Sequence, residues 1–94
     1  MRHIFTSTGE SEIVKANDPV NISVSGLNNS ETLQASFVGT IVLERRFDRD
    51  EGVWKAVAQF TQADTNKFLY ATGEFYRFRC SAYTSGKIEC VLSE

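Results

Sequence analysis

Apolar and polar residues alternate with a period of two along most of the second half of this chain. Between residues 75 and 84, for example, Tyr76 and Phe78 alternate with Arg77 and Arg79. Successive side chains of a β-strand point to opposite faces of the sheet, so this pattern indicates strands with one buried face. No stretch of about 10 residues has the apolar period of an amphipathic helix. The chain is therefore predicted to be all-β.

Seven segments have this character, and Gly, Asn, Asp and Ser, the residues that favour turns, lie between them. They are Ser11–Lys15, Asn21–Ser25, Val38–Phe47, Val53–Thr61, Lys67–Ala71, Phe75–Thr84 and Lys87–Leu92. Ninety-four residues suffice for one domain. Short strands separated by turns predict a single antiparallel immunoglobulin-like β-sandwich of about seven strands over residues 1–94.

The inward positions of four of these segments supply the predicted core. Trp54 is expected to be its large central residue, and Tyr76 follows Gly73-Glu74-Phe75 in a run that resembles the tyrosine corner of immunoglobulin-like domains. The predicted core residues are Ile41, Leu43, Trp54, Ala56, Phe60, Tyr76, Phe78, Cys80 and Ile88.

The two cysteines both fall at inward positions. A hairpin turning at Thr84-Ser85-Gly86 would place Cys80 directly opposite Cys90 on the neighbouring strand. Cβ atoms of such cross-strand neighbours lie about 4.5–5.5 Å apart, whereas a disulfide favours about 3.8 Å. The sequence therefore leaves open whether the two cysteines are buried, reduced thiols or a disulfide-bridged pair.

Charge and hydropathy exclude several classes of partner. Lys and Arg number 10 against 12 Asp and Glu, which gives a net charge of −2. A nucleic-acid-binding domain should instead carry a basic excess, so no nucleic acid is expected as a partner. No apolar run approaches the roughly 20 residues of a membrane-spanning helix, and no apolar segment near Met1 indicates a secretory leader.

The residues that catalysis and metal binding require are scarce. His3 is the single histidine and has no Cys or carboxylate cluster near it in sequence, so neither a metal site nor a Ser-His-Asp set is expected. Asp48, Asp50 and Glu51 fall in a predicted hairpin turn, where carboxylates are usually solvated. The chain is predicted not to be an enzyme and to use no cofactor.

Two features are candidates for contacts with other proteins. The first is a set of basic residues, Arg45, Arg46, Arg77 and Arg79, which would form either a solvated face or an interface with acidic neighbours. The second is the segment Met1–Ser11, which is too polar to form core and is expected to be an N-terminal arm.

Three segments of the chain carry a family resemblance. They are Gly39-Thr40-Ile41-Val42-Leu43-Glu44-Arg45-Arg46-Phe47-Asp48, Gly52-Val53-Trp54 and Tyr76-Arg77-Phe78-Arg79-Cys80-Ser81-Ala82-Tyr83-Thr84-Ser85-Gly86. Together they are similar to small β-sandwich virion proteins of tailed bacteriophages. Those proteins tend to read G-T-V-x-L-x-R-S-x-D-x-G-x-x-W and then Y-R-x-x-C-x-x-Y-x-S-G. The resemblance covers about residues 38–92, with Arg46 where Ser is usual. It implies a capsid decoration (cement) protein, or a tail or head–tail accessory subunit. Such a protein would be assembled into the virion in the host cytoplasm, in several copies, and would bind the major capsid or tail proteins.

The alternative is a carbohydrate-binding module that adheres to a host surface. β-Sandwiches often carry exposed aromatic rings that stack on sugars, and Phe47, Tyr70 and Tyr83 border predicted loops. The other interpretation of these rings is that they fill the rim of the core.

Overall fold

The computed structural model describes residues 1–16, 19–28, 30, 35–47, 53–69 and 75–93, without the side chains of Asn66 and Leu69. These residues form nine strands and no helix. The strands are β1 (Arg2–Phe5), β2 (Gly9–Glu10), β3 (Val14–Lys15), β4 (Val20–Leu27), β5 (Val38–Arg46), β6 (Lys55–Phe60), β7 (Asp64–Leu69), β8 (Phe75–Ser85) and β9 (Lys87–Ser93).

The strands form two antiparallel sheets that pack face to face. Sheet A has the order β1-β9-β4-β7, and sheet B has the order β2-β8-β5-β6 with β3 also paired to β8. The all-β antiparallel sandwich is thus confirmed. Two of the nine strands, β2 and β3, have only two residues each and share one edge of β8.

The last two strands lie in different sheets. β8 pairs with β5 in sheet B, whereas β9 pairs with β1 and β4 in sheet A. In the immunoglobulin constant domain the final strands share one sheet, so the strand order of this sandwich is its own. The chain passes between the sheets at Gly86, which has a φ of 94°. A Cβ at this position would come within 2.9 Å of Phe37 and of the Ser36 carbonyl oxygen, which is why glycine is needed there.

This crossing changes the relation between the two cysteines. The predicted hairpin, with Cys80 opposite Cys90 in one sheet, is wrong. The Cα partners of Cys80 are Gly9 and Ile41, and those of Cys90 are His3 and Val24. The cysteines therefore enter the core from opposite sheets, and both thiols are free.

A β-bulge in β6 decides the position of the tryptophan. Leu43 on β5 lies opposite Ala58 on β6, but its neighbour Glu44 lies opposite Ala56, so one residue of β6 is extra. Residues that precede the bulge therefore point to the face opposite to the one that strict alternation predicts. Ala56 is exposed and Trp54 is half-buried on the outer face of sheet B, so the prediction that both residues belong to the core is wrong.

The other predicted core residues are buried as expected, and they are Ile41, Leu43, Phe60, Tyr76, Phe78, Cys80 and Ile88. Sheet A and the N-terminal segment contribute the rest of the core, namely Phe5, Ala16, Val20, Ile22, Val24, Cys90 and Leu92.

The N-terminal segment belongs to the sandwich. The expected separate arm is wrong, because β1 forms the edge of sheet A and β2 and β3 form the edge of sheet B. The amino group of Met1 donates to the Leu92 carbonyl (2.7 Å), and the Leu92 N–H donates back to the Met1 carbonyl (2.9 Å). Phe5 enters the core with only 3% of its surface exposed. Phe5, the partly buried Met1 that packs against the core, and backbone pairing thus hold this segment in the sandwich.

Replacing Phe5 should destabilise the fold strongly. Phe5→Ala removes a fully buried ring and leaves a cavity, so we expect the free energy of unfolding to fall by about 3–5 kcal/mol. Phe68→Ala is the matched control, because 48% of the Phe68 surface is exposed, and it should cost less than about 1 kcal/mol. Urea unfolding followed by circular dichroism measures both. Equal effects of the two variants would contradict the placement of β1.

Candidate interaction face

The outer face of sheet B brings together charged and aromatic side chains from four stretches of the chain. Antiparallel pairing sets Arg46 opposite Phe75, Glu44 opposite Arg77 and Val42 opposite Arg79. Since alternate residues of a strand share a face, the outward positions of β5 and β8 form two adjacent rows. We call the resulting surface the arginine–aromatic face, and its residues are Lys15, Glu44, Arg46, Trp54, Phe75, Arg77 and Arg79.

Glu44 lies at the centre of this face and is only 7% exposed. The Nε of Arg77 donates to its Oε1 at 2.9 Å, and the Nε of Arg79 lies 3.2 Å from its Oε2. The Arg77 side chain is 20% exposed and that of Arg79 is 37% exposed. One carboxylate thus fixes two arginines that stand two residues apart on the same strand.

At the other end of the face, the cationic side chains contact aromatic rings. The guanidinium carbon of Arg77 lies 4.4 Å from the centre of the Trp54 ring, and that of Arg46 lies 5.5 Å from the same centre. Arg46 also lies 4.4 Å from the centre of the Phe75 ring, and the Lys15 ammonium lies 5.9 Å from it. These are cation–π distances, and each such contact stabilises by about 0.5–1 kcal/mol at an exposed site.

Cations outnumber anions among the described residues of the face. Lys15, Arg46, Arg77 and Arg79 carry four positive charges, and the carboxylates near them are Glu44 and the exposed Glu10, which lies opposite Arg79 on β2. Among the described residues, the Nη1 of Arg46 is buried without a hydrogen-bond partner. The described part of the face therefore keeps a net positive charge, in a chain whose net charge is −2.

Three of the four predicted interface arginines lie on this face, and Arg45 does not. Alternation along β5 turns Arg45 to the other side of the strand, where its guanidinium carbon lies 4.9 Å from the centre of the Phe47 ring. The Nε of Arg45 is buried and has no hydrogen-bond partner in the described part of the chain.

Two of the three residues proposed for stacking on sugars, Phe47 and Tyr83, are described by the structure, and both contact other parts of the protein. Phe47 is half-buried beside Arg45. Tyr83 packs against the core, and its hydroxyl donates to the Gly86 carbonyl at 2.5 Å. Tyr70 lies outside the described residues, as does the turn that carries Asp48, Asp50 and Glu51.

Sequence reasoning missed four members of the face, namely Lys15, Glu44, Trp54 and Phe75. The period of two already placed Glu44 with Arg46, and Phe75 with Arg77 and Arg79, on shared faces. Only the register between β5 and β8 shows that Glu44 meets Arg77.

The described residues contain no group of three or more His, Cys, Asp and Glu that could hold a metal ion. His3 packs against Phe5, with 4.3 Å between the ring centres. No helix long and apolar enough to cross a membrane occurs among the residues described.

The environment of the two thiols makes them poor nucleophiles. Burial raises the pKa of Cys80 above its ordinary value of 9.0, and a backbone hydrogen bond with Ala82 acts in the opposite direction. The pKa of Cys90 is raised further, first by burial and then by the negative charges of Cys80 and Glu89. Since the thiolate is the reactive form, both cysteines act as small apolar core residues.

Comparison of the chain with protein-family models, with curated proteins and with solved structures finds no match.

Neutralising Glu44 should destabilise the protein. Glu44→Gln leaves Arg77 and Arg79 as adjacent like charges without a shared counterion, so we expect a loss of about 1–3 kcal/mol in unfolding free energy. Glu89→Gln is the control, because Glu89 pairs with Arg2, which is 52% exposed. A surface pair of this kind contributes about 0–1 kcal/mol. Thermal and urea unfolding compare the two variants, and equal losses would contradict a structural role for the Glu44 cluster.

The thiols should make stability depend on alkaline pH. In the unfolded chain they ionise above their ordinary pKa of 9.0, whereas the folded chain keeps them protonated at higher pH. Their contribution is therefore complete below about pH 9 and falls above it, by up to about 1.4 kcal/mol per pH unit for each thiol.

Urea unfolding under reducing conditions, repeated between about pH 8 and pH 11, measures this slope. A variant with both Cys80→Ala and Cys90→Ala retains the titrating lysines and tyrosines but loses the thiol contribution, so its stability should fall less steeply. An identical slope in the variant would contradict the assignment.

Proposed function

We propose that this chain is a non-enzymatic structural subunit of a bacteriophage particle. It serves either as a capsid decoration protein that stabilises the shell or as a tail or head–tail accessory subunit. It binds the major capsid or tail proteins in several copies per particle, and the arginine–aromatic face is its interface.

The observation that carries the proposal is the cluster formed by Glu44, Arg77, Arg79 and Trp54. Arginine and tryptophan are enriched among the residues that contribute most to protein–protein binding. Here the arginines are already fixed by the carboxylate and the ring. A partner that binds them has less side-chain entropy to remove, which favours association.

The resemblance to phage virion proteins supports the same proposal. Its residues span β5 to β9, which supply strands to both sheets. Gly39 and Gly86, which are part of the similar motifs, stand where backbone or side chains approach closely: a Cβ on Gly39 would come within 2.8 Å of the Ala82 carbonyl oxygen. The resemblance thus includes two glycines, Gly39 and Gly86, at which this fold leaves no room for a larger residue.

The contacts of Phe47 and Tyr83, the two candidate rings that the structure describes, favour assembly over the carbohydrate-binding alternative. A ring that stacks on a sugar must present an open face. Arg46 and Arg77 lie against Trp54, Arg45 lies against Phe47, and Tyr83 packs on the core.

Phage particles purified from a culture that carries the gene should contain the chain. Quantitative mass spectrometry measures its amount relative to the major capsid protein. A comparable copy number identifies a decoration protein, whereas a small fraction of it identifies a tail or head–tail subunit. Absence of the chain from purified particles would refute the proposed function.

The interface is tested in the same particles. Arg79→Gln should reduce incorporation, because it removes an exposed charge of the arginine–aromatic face. Arg2→Gln removes the same charge from the outer face of sheet A and should leave incorporation unchanged. If the two variants are incorporated equally, the interface lies elsewhere on the molecule.

A further inference from the structure

We infer that the arginine–aromatic face recognises an extended acidic segment of its protein partner, with carboxylates at alternate residues. This inference rests on the proposed role of the face as an assembly interface and names the chemistry of the partner. The matching elements are the paired arginines of β8 and the regular spacing of side chains along a strand.

The donors of Arg77 and Arg79 outnumber the acceptors that Glu44 offers them. Each guanidinium carries five N–H donors, and a carboxylate offers two oxygen atoms with about four lone-pair sites. Glu44 is shared by Arg77 and Arg79 and is contacted through Nε by both. Glu10 lies opposite Arg79 on β2 and adds a second carboxylate. Among the described residues, two carboxylates beside Lys15, Arg46, Arg77 and Arg79 leave an excess of positive charge, which an anionic partner segment would neutralise.

The spacing of the two arginines matches that of side chains on an extended segment. Arg77 and Arg79 are alternate residues of β8 and emerge from the same face about 6.8 Å apart along the strand. Carboxylates at alternate positions of an extended partner segment have the same spacing. Each carboxylate of such a segment can meet one arginine, and guanidinium and carboxylate groups form the strongest of the charge-assisted hydrogen-bond pairs.

The rest of the face carries further cations. Lys15 and Arg46 stand on either side of Phe75, close to Arg77, and extend the positive potential across sheet B. Attraction of an anionic segment therefore extends beyond the arginine pair of β8.

An acidic polypeptide fits these observations better than a nucleic acid does. Asp and Glu outnumber Lys and Arg in the chain, 12 to 10. A long polyphosphate would therefore meet repulsion beyond the face, because nucleic-acid-binding domains need a basic excess to offset it. A short acidic segment requires only the local cluster.

A synthetic octapeptide that alternates Thr and Glu, with blocked ends, is the probe. Threonine favours the extended conformation and glutamate places carboxylates at every second residue. The control peptide has Gln in place of every Glu. Fluorescence of Trp54, which lies within the face, and isothermal titration calorimetry measure binding to the full chain. We expect binding of the glutamate peptide only, and binding that weakens as salt is added.

Variants locate the site. Arg79→Gln should weaken binding of the glutamate peptide roughly tenfold or more, because a charge-assisted pair is lost. Arg2→Gln, which removes an equal charge from sheet A, should leave the affinity unchanged. Circular dichroism confirms that both variants are folded. Equal binding by Arg79→Gln and the wild type, or equal weakening by Arg2→Gln, would overturn the inference.

Other outcomes show whether the proposed partner chemistry or the proposed function is wrong. If a single-stranded oligothymidylate of equal charge binds more tightly than the glutamate peptide, the face recognises polyphosphate and the inference is wrong. If neither probe binds but the chain is present in purified particles, the partner chemistry is wrong while the proposed function stands. If the glutamate peptide binds at this face and the particles lack the chain, the recognition stands and the virion proposal fails.

Discussion

The pairing of β5 with β8 is the interaction on which the rest of the structure depends. It runs from Val38 opposite Ser85 to Arg46 opposite Phe75. On its inner side the two strands contribute Ile41, Leu43 and Phe78 to the core, each with no exposed surface. On its outer side the same register sets Glu44 against Arg77. The register shifts between Val38 and Gly39 and between Thr40 and Ile41, and it is continuous from Ile41 to Arg46. A shift of one residue in the continuous part would exchange the two faces, burying arginines and exposing the core, so its register satisfies both sides of the sheet.

The two edges of β8 and the crossing at Gly86 extend this pairing into a sandwich. β2 and β3 cover the other side of β8, and β9 carries the chain into sheet A. The N-terminal residues thus close one side of both sheets, which shields backbone groups that would otherwise be unpaired at an edge. A domain of this size has a small core, so the burial of Phe5 and the pairing of β1 contribute substantially to its stability.

The arginine–aromatic face shows how much local pattern can say about a site. Arg77 and Arg79 were recognisable as outward residues of one strand, and Arg46 as an outward residue of another. Their shared partner Glu44 is remote in sequence, and so is Trp54, which reaches the face only because of the bulge in β6. A bulge adds one residue without any change in composition. A strict period of two therefore assigns the wrong face to every residue on one side of it, as it did for Trp54 and Ala56.

The sequence by itself determined the all-β class, seven of the nine strands of the described residues and half of the core, because the side chains of a strand alternate between two faces and apolar residues avoid water. The tertiary structure alone decided which strands are neighbours. It placed β8 and β9 in opposite sheets and the N-terminal strands at an edge of each sheet. It also set Cys80 and Cys90 on opposite sides of one core. The physical reason is that the alternation of apolar and polar residues shows which side chains are buried, but not which strand lies beside which. Pairing is settled by the packing of the whole core and by steric limits such as those at Gly86.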